Sequence, residues 1–202
     1  AYELQRSLVG SEMCIRDRNK FEIQNNGADN NMMREIKFNP EDILKECEEF
    51  IQGFKSVILG TVSKEGEIDV TYAPHFKIDG EHYIYISEIG DHYTNLKENN
   101  QKFEIMFLQE EKEAMTVIAR KRLRYNVTAD FLPRDEKFEN IMDIFEKNIG
   151  EAFKIIRKMK DFHLVKLNVI DGRYVKGFGQ AYIIKDGQVC QMTGDKEGRG
   201  HR

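Results

Sequence analysis

The chain has 202 residues, enough for one domain with a substantial core and too few for two comfortable ones. A third of its residues are charged, the net charge is −4 and mean hydropathy is −0.60. No apolar run nears the roughly 18 residues of a membrane span, and no signal peptide is legible. This balance argues against nucleic-acid and anionic-membrane partners.

Cys14, Cys47 and Cys190 are widely spaced and odd in number. They form neither a disulfide framework nor a zinc pattern, so a cytoplasmic location is expected. Residues 7–18 resemble translated sequencing-adapter sequence and are set aside from fold reasoning. The Asn-rich stretch Asn25 to Asn31 follows, so residues 1–31 read as a non-native or disordered segment, with a start at Met32 or Met33.

The first convincing element is a helix from Pro40 to Phe54. Asn39 suits the N-cap, Pro40 the first helical position, and Glu41 and Asp42 the positive helix end. Ile43, Leu44, Cys47, Phe50, Ile51 and Phe54 share one face, which makes Cys47 a buried small hydrophobe rather than a nucleophile. Strands follow over residues 56–63 and 68–78, the second broken by Pro74 as at an edge or bulge. Asp79-Gly80 predicts a tight hairpin into residues 83–87.

Asp91 is placed to cap a short helix over 92–100, ahead of a strand at 103–109. A long fifth strand is expected from Met115 to Thr128. Residues 134–160 read as one or two helices broken at Gly150. Strands return at 162–170 and 174–184, joined by an Asp171-Gly172 turn. Antiparallel hairpins with few, late helices predict a small barrel of the α+β class.

Strand five carries the sharpest chemical signal. Strand alternation would set Arg120, Arg122 and Arg124 on one side, about 6.6 Å apart, with Val117, Ala119, Leu123 and Tyr125 on the other. Three guanidiniums in a row need anions nearby: phosphates, propionates or carboxylates. A solvated face neutralised by the abundant Glu and Asp explains the row too, and residue pattern alone favours that reading. In the last strand Val175, Gly177, Gly179, Ala181 and Ile183 make an unusually small face, opposite Lys176, Phe178, Gln180 and Tyr182. A flat ligand or a subunit contact would each account for it.

Among the histidines, His82 reads as exposed and His163 as a core or boundary residue. His75 and His92 could line a pocket or cap local structure. His201 lies in a Gly-rich tail, where a neutral imidazole on a flexible arm is a competent iron ligand. No Ser-His-Asp ordering, paired-cysteine site or P-loop supports a hydrolase or NTPase.

The strings Val57-Ile58-Leu59-Gly60-Thr61-Val62, Tyr72-Ala73-Pro74, Ala119-Arg120-Lys121-Arg122-Leu123 and Phe162-His163-Leu164-Val165-Lys166-Leu167 resemble the HugZ/HutZ haem-utilisation family. So does Gly172-Arg173-Tyr174-Val175-Lys176-Gly177-Phe178-Gly179, the most specific string. The resemblance runs from about Asn39 to Lys185, and His92 and Asn95-Leu96 fit the wider split-barrel flavoprotein pattern.

It implies a mainly antiparallel split β-barrel over residues 32–187, related to pyridoxamine-phosphate oxidase, with peripheral helices and a flexible tail over 188–202. A homodimer with ligand sites at its interface is expected. The resemblance also implies haem as ligand, His201 as axial iron ligand and Arg122 as distal arginine, with Arg120 the next candidate. Arg120, Arg122, Arg124 and Lys176 are the expected haem-binding cations. The implied activity is a haem oxygenase, opening the porphyrin to biliverdin, carbon monoxide and iron with electrons from an external donor. An FMN oxidoreductase would use the same arginines for its phosphate, and a haem carrier or storage protein would share every residue named.

Overall fold

The computed structural model describes residues 38–99, 103–151 and 153–192. Residues 1–31, Cys14 and His201 lie outside the described residues. Helix α1 (Pro40–Gln52) starts as its sequence dictates: the Asn39 side chain accepts the Glu41 N–H, Pro40 opens the first turn, and the chain leaves at Gly53. Its buried stripe is Ile43, Cys47 and Ile51.

Six strands close on themselves. β1 (Ser56–Val62), β2 (Ile68–Ile78), β3 (Glu81–Ser87), β4 (Phe103–Leu108), β5 (Arg122–Phe131) and β6 (Phe162–Gly177) run in the order β3-β2-β1-β4-β5-β6, and a β3–β6 pairing seals the barrel. Two further strands, β7 (Gln180–Lys185) and β8 (Gln188–Gln191), extend the sheet from the C-terminal half of β6. This is the α+β split barrel that the sequence implied. Closure leaves few open edges, and alternate residues fill the interior: Val57, Leu59, Ile84, Ile105, Phe107, Leu123 and Val127 are all buried.

Helix α1 packs at the barrel with Phe50 on Tyr174, and Phe54, just past the helix end, packs on Phe107. Helices α3 (Glu136–Ile149) and α4 (Phe153–Ile156), interrupted at Gly150 with φ 104°, cover the outer face of β2, β3 and β6. Phe76, Tyr83, Tyr85 and Leu164 meet Phe138, Met142, Phe145 and Phe153 there in a second core. Asp79 and Gly80, both with positive φ, make the expected hairpin. Pro74 sits where β2 turns from β1 to β3, since β3 pairs only with His75–Ile78 and the preceding residues keep an open edge.

Several expectations fail for tertiary reasons. The first helix stops at Gln52, not Phe54. Helix α2 (Asp91–Glu98) is capped by Gly90, with Asp91 already in its first turn. β6 runs straight through Asp171-Gly172, and the hairpins lie instead at Phe178-Gly179 and Asp186-Gly187. Gly172 is there for close approach: a Cβ would stand 2.6 Å from the Tyr125 ring on the neighbouring strand. The supposed small face therefore does not exist, because Gly179 is a turn residue with φ 67°. Gln188–Gln191 pairs with β7 rather than joining the tail.

Candidate functional site on the outer face of the barrel

β5 begins only at Arg122. The preceding residues 109–121 form a loop with short turns at Glu111–Glu113 and Val117–Ala119, so Arg120 precedes the strand and Val117 is exposed instead of packed. Within β5, Leu123, Tyr125, Val127 and Ala129 point inward and leave Arg122 and Arg124 half-buried on the outer face. Strand register supplies their neighbours. One row reads Leu108, Arg122, Val175, Ala181; the next reads Met106, Arg124, Arg173, Ile183.

The third guanidinium of this face therefore comes from Arg173 on β6, not from Arg120. Arg173 lies inside the most family-like string, yet nothing in that string says which strand it faces; only register does. Arg124 Nη1 lies 3.5 Å from Glu104 Oε2, an exposed pair of modest worth. Arg122 has no carboxylate within ion-pair distance among the described residues, and its Nη1 reaches only the Arg120 carbonyl at 3.5 Å.

Arg120 is engaged elsewhere. Its Nε donates to the Gln109 carbonyl at 2.7 Å and its Nη1 to Glu111 Oε1 at 3.0 Å. Lys176 also departs from the expected set. It shares the face of buried Tyr174, opposite Arg173 and Val175, and its Nζ binds both carboxylate oxygens of Glu46 on α1 at 2.7 and 2.9 Å. The structure thus sets Arg122, Arg124 and Arg173 on one face, and engages the side chains of Arg120 with Gln109 and Glu111 and of Lys176 with Glu46.

The histidines within the described residues are His75, His82, His92 and His163. His82, expected at the surface, is buried, because β3 turns it into the barrel; its Nδ1 lies 2.9 Å from His75 Nε2. Burial, together with the neighbouring imidazole and Lys77, pulls His75 down to about 3, and burial with Lys77 pulls His82 down to about 4. Both are neutral at pH 7. His163 Nε2 meets Glu88 Oε1 at 2.7 Å, and half-buried His92 folds its ring against Gly90. Cys47 is buried, and burial beside Glu46 and Glu48 pushes its thiol up to about 12, so it is no nucleophile.

Exposed apolar residues lie at one end of the sheet that carries the arginines. β4 ends at Leu108, β5 begins at Arg122 and β6 ends at Gly177, so the 109–121 loop and the Phe178-Gly179 turn meet at one end of the sheet. Met115, Val117, Ile118 and Phe178 are all exposed there. A flat apolar ring carrying carboxylates suits such a surface: guanidiniums take the acid groups and the apolar side chains cover the ring. The residues present therefore fit haem. By contrast, the groove between the β2–β3 hairpin and α3 is lined by Asp79, Glu81 and Glu136 against one Lys137, which disfavours an acidic ligand.

Among the described residues no helix is long and apolar enough to cross a membrane, and no cluster of three metal-ligating side chains occurs. Residues 43–176 match the family described as pyridoxamine 5'-phosphate oxidase. The heme oxygenase HutZ of Vibrio cholerae is 34% identical over 158 residues, covering 78% of this chain and 88% of its own. The crystal structure of Campylobacter jejuni ChuZ superposes with a TM-score of 0.76 at 47% identity, covering 82% of this chain and 68% of that one. A structure of HutZ, described as a heme storage protein, gives 0.58 at 32% identity, covering 62% and 88%. The chain belongs to the HutZ/ChuZ-type haem-utilisation proteins of the pyridoxamine 5'-phosphate oxidase family.

Proposed function

We propose that the protein binds haem on the Arg122 face and degrades it oxidatively, in the service of haem utilisation. The observation that carries this reading is a row of guanidiniums, two of them (Arg122 and Arg173) without a carboxylate partner among the described residues, with exposed apolar side chains at the same end of the sheet. Haem, the substrate, would activate molecular oxygen when bound, and with O2 as oxidant and electrons from an external donor the products would be biliverdin, carbon monoxide and iron.

The chain's own residues orient and polarise. Arg124 and Arg173 hold the propionates by charge-assisted hydrogen bonds. Arg122, beside them on the same face and without a carboxylate partner among the described residues, would donate to the negative charge that develops during reaction. His201, outside the described residues, would supply an imidazole to the haem iron. A second copy of the chain completes the site. The open edge of β2 supports this, since Ile68, Val70 and Tyr72 are 79%, 68% and 69% exposed.

The storage reading has support from the description attached to the HutZ structure. Haem-loaded protein supplied with ascorbate in air separates the two. Loss of the Soret band with release of biliverdin and iron is expected; a persistent Soret band would leave a carrier. FMN is the alternative ligand, its phosphate taking the same guanidiniums, and purified protein with yellow fluorescence and no Soret band would select it. His201→Ala is expected to shift the ferric Soret band and weaken haem binding, whereas an unchanged spectrum would remove that residue from the iron.

A further inference from the structure

The loop between β4 and β5 combines a locked neck with an uncovered tip. At the neck, the Gln109 N–H donates to the Lys121 carbonyl at 2.9 Å, and the Lys121 N–H donates to Gln109 Oε1 at 3.0 Å. Gln109 Nε2 reaches the Glu113 carbonyl at 3.3 Å. Arg120 closes this frame. Its Nε and Nη2 both donate to the Gln109 carbonyl, at 2.7 and 2.5 Å, and its Nη1 binds Glu111 at 3.0 Å.

The guanidinium is only one-fifth exposed, so these bonds are partly shielded from water and hold better than a surface pair would. At the tip, Met115 is fully exposed and Val117 and Ile118 are 66% and 73% exposed. Leaving three large apolar groups on an anchored loop costs solvation free energy with no return inside the described residues. The loop also feeds directly into Arg122, whose Nη1 lies 3.5 Å from the Arg120 carbonyl.

We propose that Arg120 is a positioning residue: it clamps the 109–121 loop so that Met115, Val117 and Ile118 form a preorganised apolar wall for the haem macrocycle beside Arg122. The proposal rests on the haem reading above and assigns Arg120 a place outside the ligand's contact shell. The occupant is argued from complementarity. The loop that carries the wall runs directly into Arg122 at one end of the arginine face, and one ligand that is both apolar and dianionic would satisfy the two surfaces together. Preorganisation matters because a loop that had to order on binding would spend part of the binding free energy on its own immobilisation.

The test compares Arg120→Met, Arg120→Lys and a Met115→Ser/Ile118→Ser double variant in the full-length protein. Amide hydrogen exchange over residues 109–121 is read first, then binding of haem and of haem dimethyl ester, which lacks the propionate charges. Arg120→Met is expected to speed exchange in the loop and to weaken both ligands by about tenfold, the scale of one charge-assisted hydrogen bond. The Soret position should stay unchanged, because Arg120 touches neither iron nor ring.

Arg120→Lys should not rescue, since an ammonium cannot span the Gln109 carbonyl and Glu111 with a planar fork. The serine double variant should weaken both ligands while loop exchange stays slow. A loss for haem that vanishes with the dimethyl ester would overturn the proposal, because Arg120 would then be a propionate ligand. Unchanged loop exchange in Arg120→Met would overturn it as well, as would a faster-exchanging loop with unaltered binding, which would point to a second copy of the chain as the wall's occupant. Failure of the haem reading shows itself separately, as a wild-type chain that takes up neither ligand.

Discussion

Arg122 and Arg124 sit two residues apart on one strand face and differ in what neutralises them. Arg124 has Glu104 across the ladder; Arg122 has a carbonyl at the edge of hydrogen-bond range. On the proposed function, that difference assigns Arg122 rather than Arg124 to a reacting group. Arg122→Ala is expected to retain haem while slowing biliverdin formation about 10²–10³-fold, and Arg122→Lys to recover little. Loss of haem binding in Arg122→Ala would instead make the residue a propionate anchor.

The buried histidine pair makes a different prediction. His75 Nδ1 is buried without a partner among the described residues, and an unpaired lone pair costs less than an unpaired N–H. The assigned tautomer therefore has His75 Nε2–H donating to His82 Nδ1. Both folded pKa values are depressed below the ordinary 6.5, so the unfolded chain binds more protons below that pH. The stability this contributes is present above pH 6.5 and is lost as pH falls toward 4, with a slope of up to about 1.4 kcal/mol per pH unit per histidine. A His75→Leu/His82→Leu variant should show a flatter dependence of the denaturation midpoint over that window. Equal slopes would remove the pair from the acid response.

At the scale of elements, β6 decides the architecture. Its first half seals the barrel against β3, and its second half leaves to pair with β7. The departure falls at a bulge, where Val127 pairs with Val169 but Asn126 with Asp171, leaving Ile170 as the extra residue. Gly172 follows at once, under the Tyr125 ring. Gly172→Ala should destabilise the protein by roughly 1–3 kcal/mol, because ring and strand are both fixed by neighbours and must shift. In a Tyr125→Leu background the same substitution should cost much less. An additive effect in thermal unfolding would show that the glycine is needed for its backbone rather than for the ring.

For the molecule as a whole, the barrel buries its interior, α1 and the α3–α4 face, but leaves the β2 edge and the arginine face open. A homodimer that covers the exposed Ile68, Val70 and Tyr72 is the expected solution state, giving about twice the 23.7 kDa chain mass by light scattering. Tyr72→Glu should shift that equilibrium toward monomer and weaken haem binding with it. A monomer with undiminished haem affinity would separate the ligand site from any interface.

Local chemistry was enough for much of this protein. The Asn39-Pro40 helix start, the Asp79-Gly80 hairpin, the break at Gly150 and the buried Cys47 each depend on interactions within a few residues, which a single chain segment displays. The family-like strings carried the barrel. What needed the tertiary structure was everything set by pairing between distant strands. An Asp-Gly pair makes a turn at residue 79 and an uninterrupted strand at residue 171, because only there does an aromatic ring on the neighbouring strand require the glycine. Likewise Arg120 and Arg173 exchange roles once register is known. Alternation along one strand can say which side chains share a face, but the start of that strand and the identity of its neighbours are settled by long-range hydrogen bonding.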